Sequence, residues 1–584
     1  MKTFLLSFLG GLTALVLFFL IIPVIIISAF SGGEDEGPQG SVVLAVDLRA
    51  SYPDQRLTSG PAAIFGQVSF IDILTRLDAA ADDPNVEGVF LRASEFGVGS
   101  ARAEELRTAF LKLRAADKFV IAHSQGFLTG GPSNYRAVSS ADEIWLQPGA
   151  DFNVTGVAFE TLFFKDLLDN IGVTSEIEAL GEYKNAPNVY KETGYTDAHA
   201  ETLQALGEGI WSISIEDIAA DRELDPAALR AMLEAGPKSP DAAKTLGLVD
   251  KLGWPEEAAD AATARGGEAE LLDIAYYSPP GVDGSAPVIA LVGGEGPIIG
   301  GASGGDLFDF NSDPIFASDT VSAALLAAAE DEDVEAVVFR VDSGGGSAIA
   351  SDQIWRAVER VQESGKPVVV SMGTVAASGG YYVAMGADAI LASRASVTGS
   401  IGVFGGKIAI ADGLRRIGVT PDQIQIGGEV ASAYSTERLT DVQRAALVES
   451  LERVYDRFTS LAAEGRGMSI EDLQAVAQGR VWTGEDAMAV GLVDEMGGLM
   501  AAIDKAKALA EIDIDEDVEL RTPYEELTPM EAFASLLGVS AREAKGLQVL
   551  SRIVGDDQII GAFQQIQSME RHPLQAAAPP LREN

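Results

Sequence analysis

From residue 41 onward the chain repeats itself, and the repeat limits what it can fold into. Val42-Val43-Leu44-Ala45-Val46 returns as Val288-Ile289-Ala290-Leu291-Val292, 246 residues later. Ala141-Asp142 returns as Ala387-Asp388 at the same offset, and Ile171-Gly172-Val173-Thr174 as Ile417-Gly418-Val419-Thr420. Val86-Glu87 with Arg92 matches Val334-Glu335 with Arg340, Val154-Thr155-Gly156 matches Val397-Thr398-Gly399, and Gly247-Leu248-Val249-Asp250 matches Gly491-Leu492-Val493-Asp494. Matches in one register at a nearly constant offset mark a duplicated unit. We place the copies at 41–277 and 284–511, joined by a Pro/Gly-rich stretch from Ser278 to Pro287. A chain of 584 residues is also too long for a single core.

Within each copy, short β-rich runs alternate with amphipathic stretches. Val334 to Val341 reads as a strand, Ser351 to Glu363 as a helix, Pro367 to Ser371 as a strand and Tyr382 to Ala387 as the start of a helix. That alternation predicts an α/β fold of parallel βαβ units. The glycine-rich run Gly293 to Gly305 reads as a loop, with or without a part in chemistry. The repeat stops near Ile512, and residues 512–584 form a tail with an amphipathic patch at Met530 to Leu537 and a disordered Pro/Ala-rich end.

Residues 1–40 read as an anchor and linker. No charged residue lies between Lys2 and Glu34, and Phe4 to Phe30 is long enough to span a bilayer. An uncleaved helix is the favoured reading; an Ala-Phe-Ser pattern at Ala29 to Ser31 keeps a cleaved signal open. Lys2 before the span and Glu34, Asp35 and Glu36 after it place the N-terminus in the cytoplasm and the remainder outside.

Composition excludes several chemistries. With 42 basic against 87 acidic residues the net charge is −45, which repels phosphate backbones and argues against nucleic acid. Without cysteine there is no thiol nucleophile and no cysteine metal site. No carboxylate or histidine cluster has metal-ligand spacing, so neither metal nor cofactor is expected. The three histidines, His123, His199 and His572, stand in no recognisable motif, and His123 reads as a strand-end residue.

One stretch does point to chemistry. Ser378-Gly379-Gly380 sits between a strand and a helix, a turn at which nucleophiles are presented, and the N–H after such a serine can face a developing oxyanion. Sliding Ser378 back by 246 lands on Pro132, with Ser133 one place away, and sliding Ala431 back by 247 lands on Lys184. The second copy therefore holds the serine and lacks the lysine, while the first holds the lysine and lacks the serine. Ser400 likewise faces Val157. Complementary loss is what one site shared by two copies leaves behind, although drift on a surface can produce the same pattern. Taken alone, Lys184 would read as a solvated lysine and Ser400 as a turn residue.

Together Ser378-Gly379-Gly380, Asp342-Ser343-Gly344-Gly345-Gly346-Ser347, Thr398-Gly399-Ser400-Ile401-Gly402 and Tyr183-Lys184-Asn185-Ala186 resemble signal peptide peptidase A, in its long, duplicated, membrane-anchored form. The resemblance covers roughly residues 1 to 510. It implies tandem Clp-protease/crotonase-like domains after one transmembrane helix. It also implies a nucleophile at Ser378, a general base at Lys184, a second serine at Ser400 and an oxyanion hole at Gly379 with the Gly345/Gly346 turn. The family usually has Ser-Pro-Gly-Gly where this chain has Ser343-Gly344-Gly345-Gly346, which leaves open which amide faces the oxyanion. The further implications are cleaved signal peptides as substrates, a homotetramer, and a catalytic region on the periplasmic side of the bacterial inner membrane.

A serine hydroxyl needs a base to take its proton, and a neutral amine can serve. At an ordinary pKa only about 0.1% of a lysine is neutral at pH 7.4, so burial must lower it. Two other readings remain: an acyl-CoA enzyme of the crotonase fold, which export opposes, and a non-catalytic membrane scaffold. We further expect the second copy alone to fold but not to hydrolyse peptides.

Overall fold

The computed structural model describes residues 40–56, 68–282, 284–302 and 314–523. The expected anchor at Phe4 to Phe30, His572 and the tail patch at Met530 to Leu537 lie outside them. Among the described residues no helix is long and apolar enough to cross a membrane.

Two sheets carry the duplication. The first runs, edge to edge, Lys251–Leu252, Glu143–Leu146, Phe119–Ser124, Val86–Arg92, Val42–Asp47 and Glu270–Asp273, all parallel. The second repeats that order with Glu495–Met496, Ala389–Ala392, Val368–Ala377, Val334–Ser343, Val288–Glu295 and Glu519–Arg521. Two further strands, Val397–Gly399 and antiparallel Val481–Thr483, extend it beside the end of Val368–Ala377. The edge strand Glu519–Arg521 lies past residue 511, because the second sheet needs the same closing strand that Glu270–Asp273 supplies to the first.

The repeated motifs are structural fasteners. Asp142 and Asp388 accept the N–H of Val120 and Val368, each at 2.8 Å, tying the start of one strand to the next. Asp250 and Asp494 do the same for Ile144 and Ile390, again at 2.8 Å. Tyr135 and Tyr381, both fully buried, donate to the carbonyls of Leu248 and Leu492.

Element boundaries moved where the site lies. The strand expected over Pro367 to Ser371 continues to Ala377, and the helix expected from Tyr382 begins at Gly379, directly after Ser378. Gly293 and Gly294 belong to the strand Val288–Glu295 rather than to a loop. A Cβ on Gly294 would meet the Phe316 ring at 2.3 Å, so this glycine makes room for a neighbouring side chain.

Strand alternation joins the copies into one body. Val288, Ala290 and Val292 face a core with Val337, Phe339 and Val370, while Ile289, Leu291, Val338 and Val369 face the core that holds Val42, Leu44 and Leu74 of the first copy. The helices Phe70–Asp82 and Ser100–Ala115 lie in that shared layer with Leu499–Leu509. Arg340 is fully buried at the junction. Its guanidinium donates to Asp54 at 2.9 Å and to Glu105 at 2.7 Å, both from the first copy, and to Ser371 at 3.0 Å. Its repeat partner Arg92 instead donates to Gln125.

Candidate active site

Ser378 ends the strand Val368–Ala377 and caps the helix Gly379–Ala384 with φ 55° and ψ −115°. Such backbone is rare outside glycine and costs on the order of 1–3 kcal/mol, so its surroundings must impose it. They do so with hydrogen bonds: the Ser378 N–H donates to Gly399 O at 2.8 Å, and its carbonyl accepts from Tyr382 N at 2.9 Å. The Gly344–Gly346 turn presses against it. A Cβ on Gly345, whose φ is +97°, would meet Gly379 N at 2.5 Å and Ser378 Cβ at 2.9 Å. Ser343 Oγ anchors that turn by donating to Gly296 O at 2.6 Å and accepting from Gly345 N at 3.1 Å. Gly379 N–H, first in its helix, has no intrahelical acceptor.

Lys184 reaches this serine from the other copy. The strand Thr174–Leu180 of the first copy pairs antiparallel with Val403–Ala409 of the second, in a register that sets Leu180 opposite Val403. Ser400 precedes Val403 and Lys184 follows Leu180, so both leave the pair at one end. Lys184 Nζ lies 2.9 Å from Ser378 Oγ, 2.9 Å from Ser400 Oγ and 3.0 Å from Ser400 O. The side chain is buried, and burial pushes its pKa down to about 8, with no charged neighbour contributing.

Ser400 also has positive φ, 53°. Its N–H donates to Arg480 O at 2.7 Å, which turns its carbonyl and hydroxyl together onto the amine. A carbonyl oxygen only accepts, so it must take one N–H of the amine. A neutral amine that gives its two hydrogens to Ser400 O and Ser400 Oγ directs its lone pair at Ser378. These contacts bring together Ser378, Lys184, Ser400, Gly379, Gly345 and Gly346.

The counterparts stand elsewhere. Pro132 caps the helix Ser133–Arg136 as Ser378 caps its own, and a cavity of about 540 Å³ lies beside Pro132, Ser133 and Val157. Ala431 is exposed on a short helical turn. His123 is buried in the first sheet with Nε2 3.2 Å from Gly253 O, and burial takes its pKa down to about 4. His199 packs against Phe163 and Tyr195. The repeat comparison gave no hint of the Gln478–Arg480 turn, which touches both the lysine loop and Ser400. Gly479, set between the helix Ile470–Val476 and the strand Val481–Thr483, is the one mark of it in the sequence.

The model of peptidase family S49 matches residues 112–267 and 360–513. The chain belongs to peptidase family S49. The two matched segments fall one in each copy, so this S49 chain carries the family unit in tandem. It is similar to protease 4 of Haemophilus influenzae, 30% identical over 528 residues, 84% of this chain and 83% of that protein. Protease 4 of Salmonella typhi is 32% identical over 459 residues, 76% of this chain and 72% of that one. The chloroplastic serine protease SPPA of Arabidopsis thaliana is 29% identical over 523 residues, 86% of this chain and 75% of that one. As an S49 member the chain is a serine peptidase, and the acyl-CoA and scaffold readings fall away.

Proposed function

We propose that this S49 peptidase works through a Ser378–Lys184 dyad, with Ser400 orienting the amine. The observation that carries the reading is the 2.9 Å approach of Lys184 Nζ to Ser378 Oγ across 194 residues of sequence, with the lysine buried so that its pKa is lowered. At a pKa of about 8, roughly a fifth of the lysine is neutral at pH 7.4, about 200-fold more than for an ordinary lysine. Ser378 Oγ attacks the peptide carbonyl carbon while its proton passes to Lys184. The oxyanion is received by the Gly379 N–H and the Gly345–Gly346 turn. Lys184 then hands the proton to the leaving amine, and the acyl group stays on Ser378. Water attacks that ester with Lys184 again taking the proton, which restores the serine.

The Clp-protease/crotonase name for each copy is supported by its parallel sheet, and in the second copy also by a serine at the strand-to-helix turn. Cleaved signal peptides are the proposed substrates: they are apolar and remain in the bilayer, where an anchor at Phe4 to Phe30 would hold this chain. The proposed topology keeps the N-terminus in the cytoplasm and the peptidase on the outer side of the inner membrane. A homotetramer is the proposed assembly, supported by apolar side chains left in water: Ile424 is 94% exposed, Ile426 89% and Tyr434 85%. The test of the dyad is a fluorophosphonate probe. It should label the intact protein at Ser378, lose that label in Ser378→Ala and label Lys184→Ala far more slowly. Undiminished labelling of Lys184→Ala would remove the lysine from the mechanism.

A further inference from the structure

The turn Gln478-Gly479-Arg480 holds both halves of the site. Its Gln478 carbonyl accepts Tyr183 N–H at 2.9 Å, one residue before Lys184. Its Arg480 carbonyl accepts Ser400 N–H at 2.7 Å, and Gly479 N–H donates to Ile401 O at 2.8 Å. Backbone meets backbone closely: a Cβ on Gly479, whose φ is +81°, would lie 2.5 Å from Lys184 N, and one on Gly181 would lie 2.4 Å from the Gln478 carbonyl. The Arg480 side chain locks the contact from outside. Its guanidinium lies 4.9 Å from the Tyr183 ring centroid and 4.7 Å from that of Trp482. It pairs with Glu201 of the first copy at 3.0 Å, and Tyr183 Oη reaches the same carboxylate at 3.2 Å.

We infer that Arg480 and Gly479 are positioning residues, a clasp through which the second copy fixes the lysine of the first at reacting distance from Ser378. The inference rests on the dyad proposed above. Neither residue touches the reacting atoms. The lysine lies on a turn outside both main sheets, so its place against Ser378 depends on what holds the turn. Arg480 bridges an aromatic ring and a carboxylate on the lysine side to Trp482 on the serine side. Gly479 supplies the close approach that no side chain would permit. A displacement of about 1 Å between base and nucleophile costs on the order of 100-fold in rate. It would also let water reach the amine and return its pKa toward the ordinary lysine value.

The experiment uses the full-length protein in detergent and the variants Arg480→Ala, Arg480→Lys and Gly479→Ala. Two readouts are taken: the pH dependence of fluorophosphonate labelling at Ser378, and kcat against KM on an apolar peptide. Arg480→Ala should label about 10- to 100-fold more slowly at pH 7.4, with the midpoint of its pH profile moved upward from that of the wild type. The kcat should fall while KM changes little. Arg480→Lys keeps the charge and the ring contact and should recover part of the rate. Gly479→Ala should match or exceed the loss in Arg480→Ala. Should Gly479→Ala not fold, the Arg480 pair decides on the same readouts. A folded Arg480→Ala with wild-type rate and midpoint overturns the clasp. So does a slower rate at an unchanged midpoint, which marks a merely structural residue. Wild-type protein that never labels at Ser378 overturns the dyad, and the clasp with it.

Discussion

Lys184 is held in a place that favours its neutral form, and the proposed base and the folded chain both feel this. In the folded state its pKa is lowered to about 8 by burial. On the proposed mechanism kcat/KM rises with pH through about 8, because only the neutral amine can take the Ser378 proton. Ser378→Ala and Lys184→Ala should each remove about 100- to 10,000-fold or more of turnover, and the double variant should be no worse than the worse single, as groups acting as a unit behave. Lys184→Arg should fail as well, since guanidinium stays charged. Initial rates from pH 6 to 10 check both points; a flat profile would reject the amine as base. Stability responds with a definite sign. Below about pH 8 both folded and unfolded chains hold the proton and the fold bears the cost of the buried charge; between the two pKa values the unfolded chain binds more protons, so stability rises with pH. Lys184→Met should therefore raise stability at pH 7 by on the order of 3 kcal/mol, an advantage that shrinks toward pH 10.5 in denaturant titrations.

At the scale of elements, the strand pair Thr174–Leu180 with Val403–Ala409 delivers the lysine to the serine, and the Arg340 cluster ties the second main sheet to Asp54 and Glu105 of the first copy. Arg340 is fully buried between Asp54 and Glu105, and Glu105 also accepts Leu499 N–H at 2.8 Å. Removing one partner of a buried ion pair leaves the other charges uncompensated, so Arg340→Ala should cost about 3–5 kcal/mol. Thermal and urea unfolding measure this; a cost below about 1 kcal/mol would mean that water enters to replace the guanidinium. Gly406, with φ +152°, lies where a Cβ would meet Glu176 O at 2.1 Å. A side chain there would have to push the two strands apart.

At the scale of the whole molecule the duplication did not leave two independent bodies. Ile289, Leu291, Val338, Val369 and Leu391 of the second copy sit in one core with Val42, Leu44, Leu74 and Leu106 of the first. We therefore expect, against the reading from sequence alone, that residues 284–523 expressed alone do not reach a cooperative fold, which near-UV circular dichroism would register. The exposed residues Ile424, Ile426 and Tyr434 carry the assembly prediction. Light scattering of the detergent-solubilised chain should give several copies per particle, and Ile424→Asp with Ile426→Asp should lower that number. An unchanged mass in the double variant would place the interface elsewhere.

By itself the sequence determined the duplication, the α/β class and the candidate residues. Repeats preserve the fasteners that every copy needs, such as Asp142 with Asp388 and Tyr135 with Tyr381, and a difference between copies stands out against them. The missing lysine at Ala431 and the missing serine at Pro132 were legible for that reason. Three things were decided only in three dimensions. The Leu180 to Val403 register, which sets Lys184 beside Ser378, pairs residues far apart in the chain, and no local periodicity encodes which edges meet. The shared core follows from strand faces that look the same in sequence whether they meet a helix of their own copy or of the other. The Gln478–Arg480 turn works through backbone carbonyls and a glycine's missing Cβ, groups that residue identity does not reveal until the partner backbone lies against them.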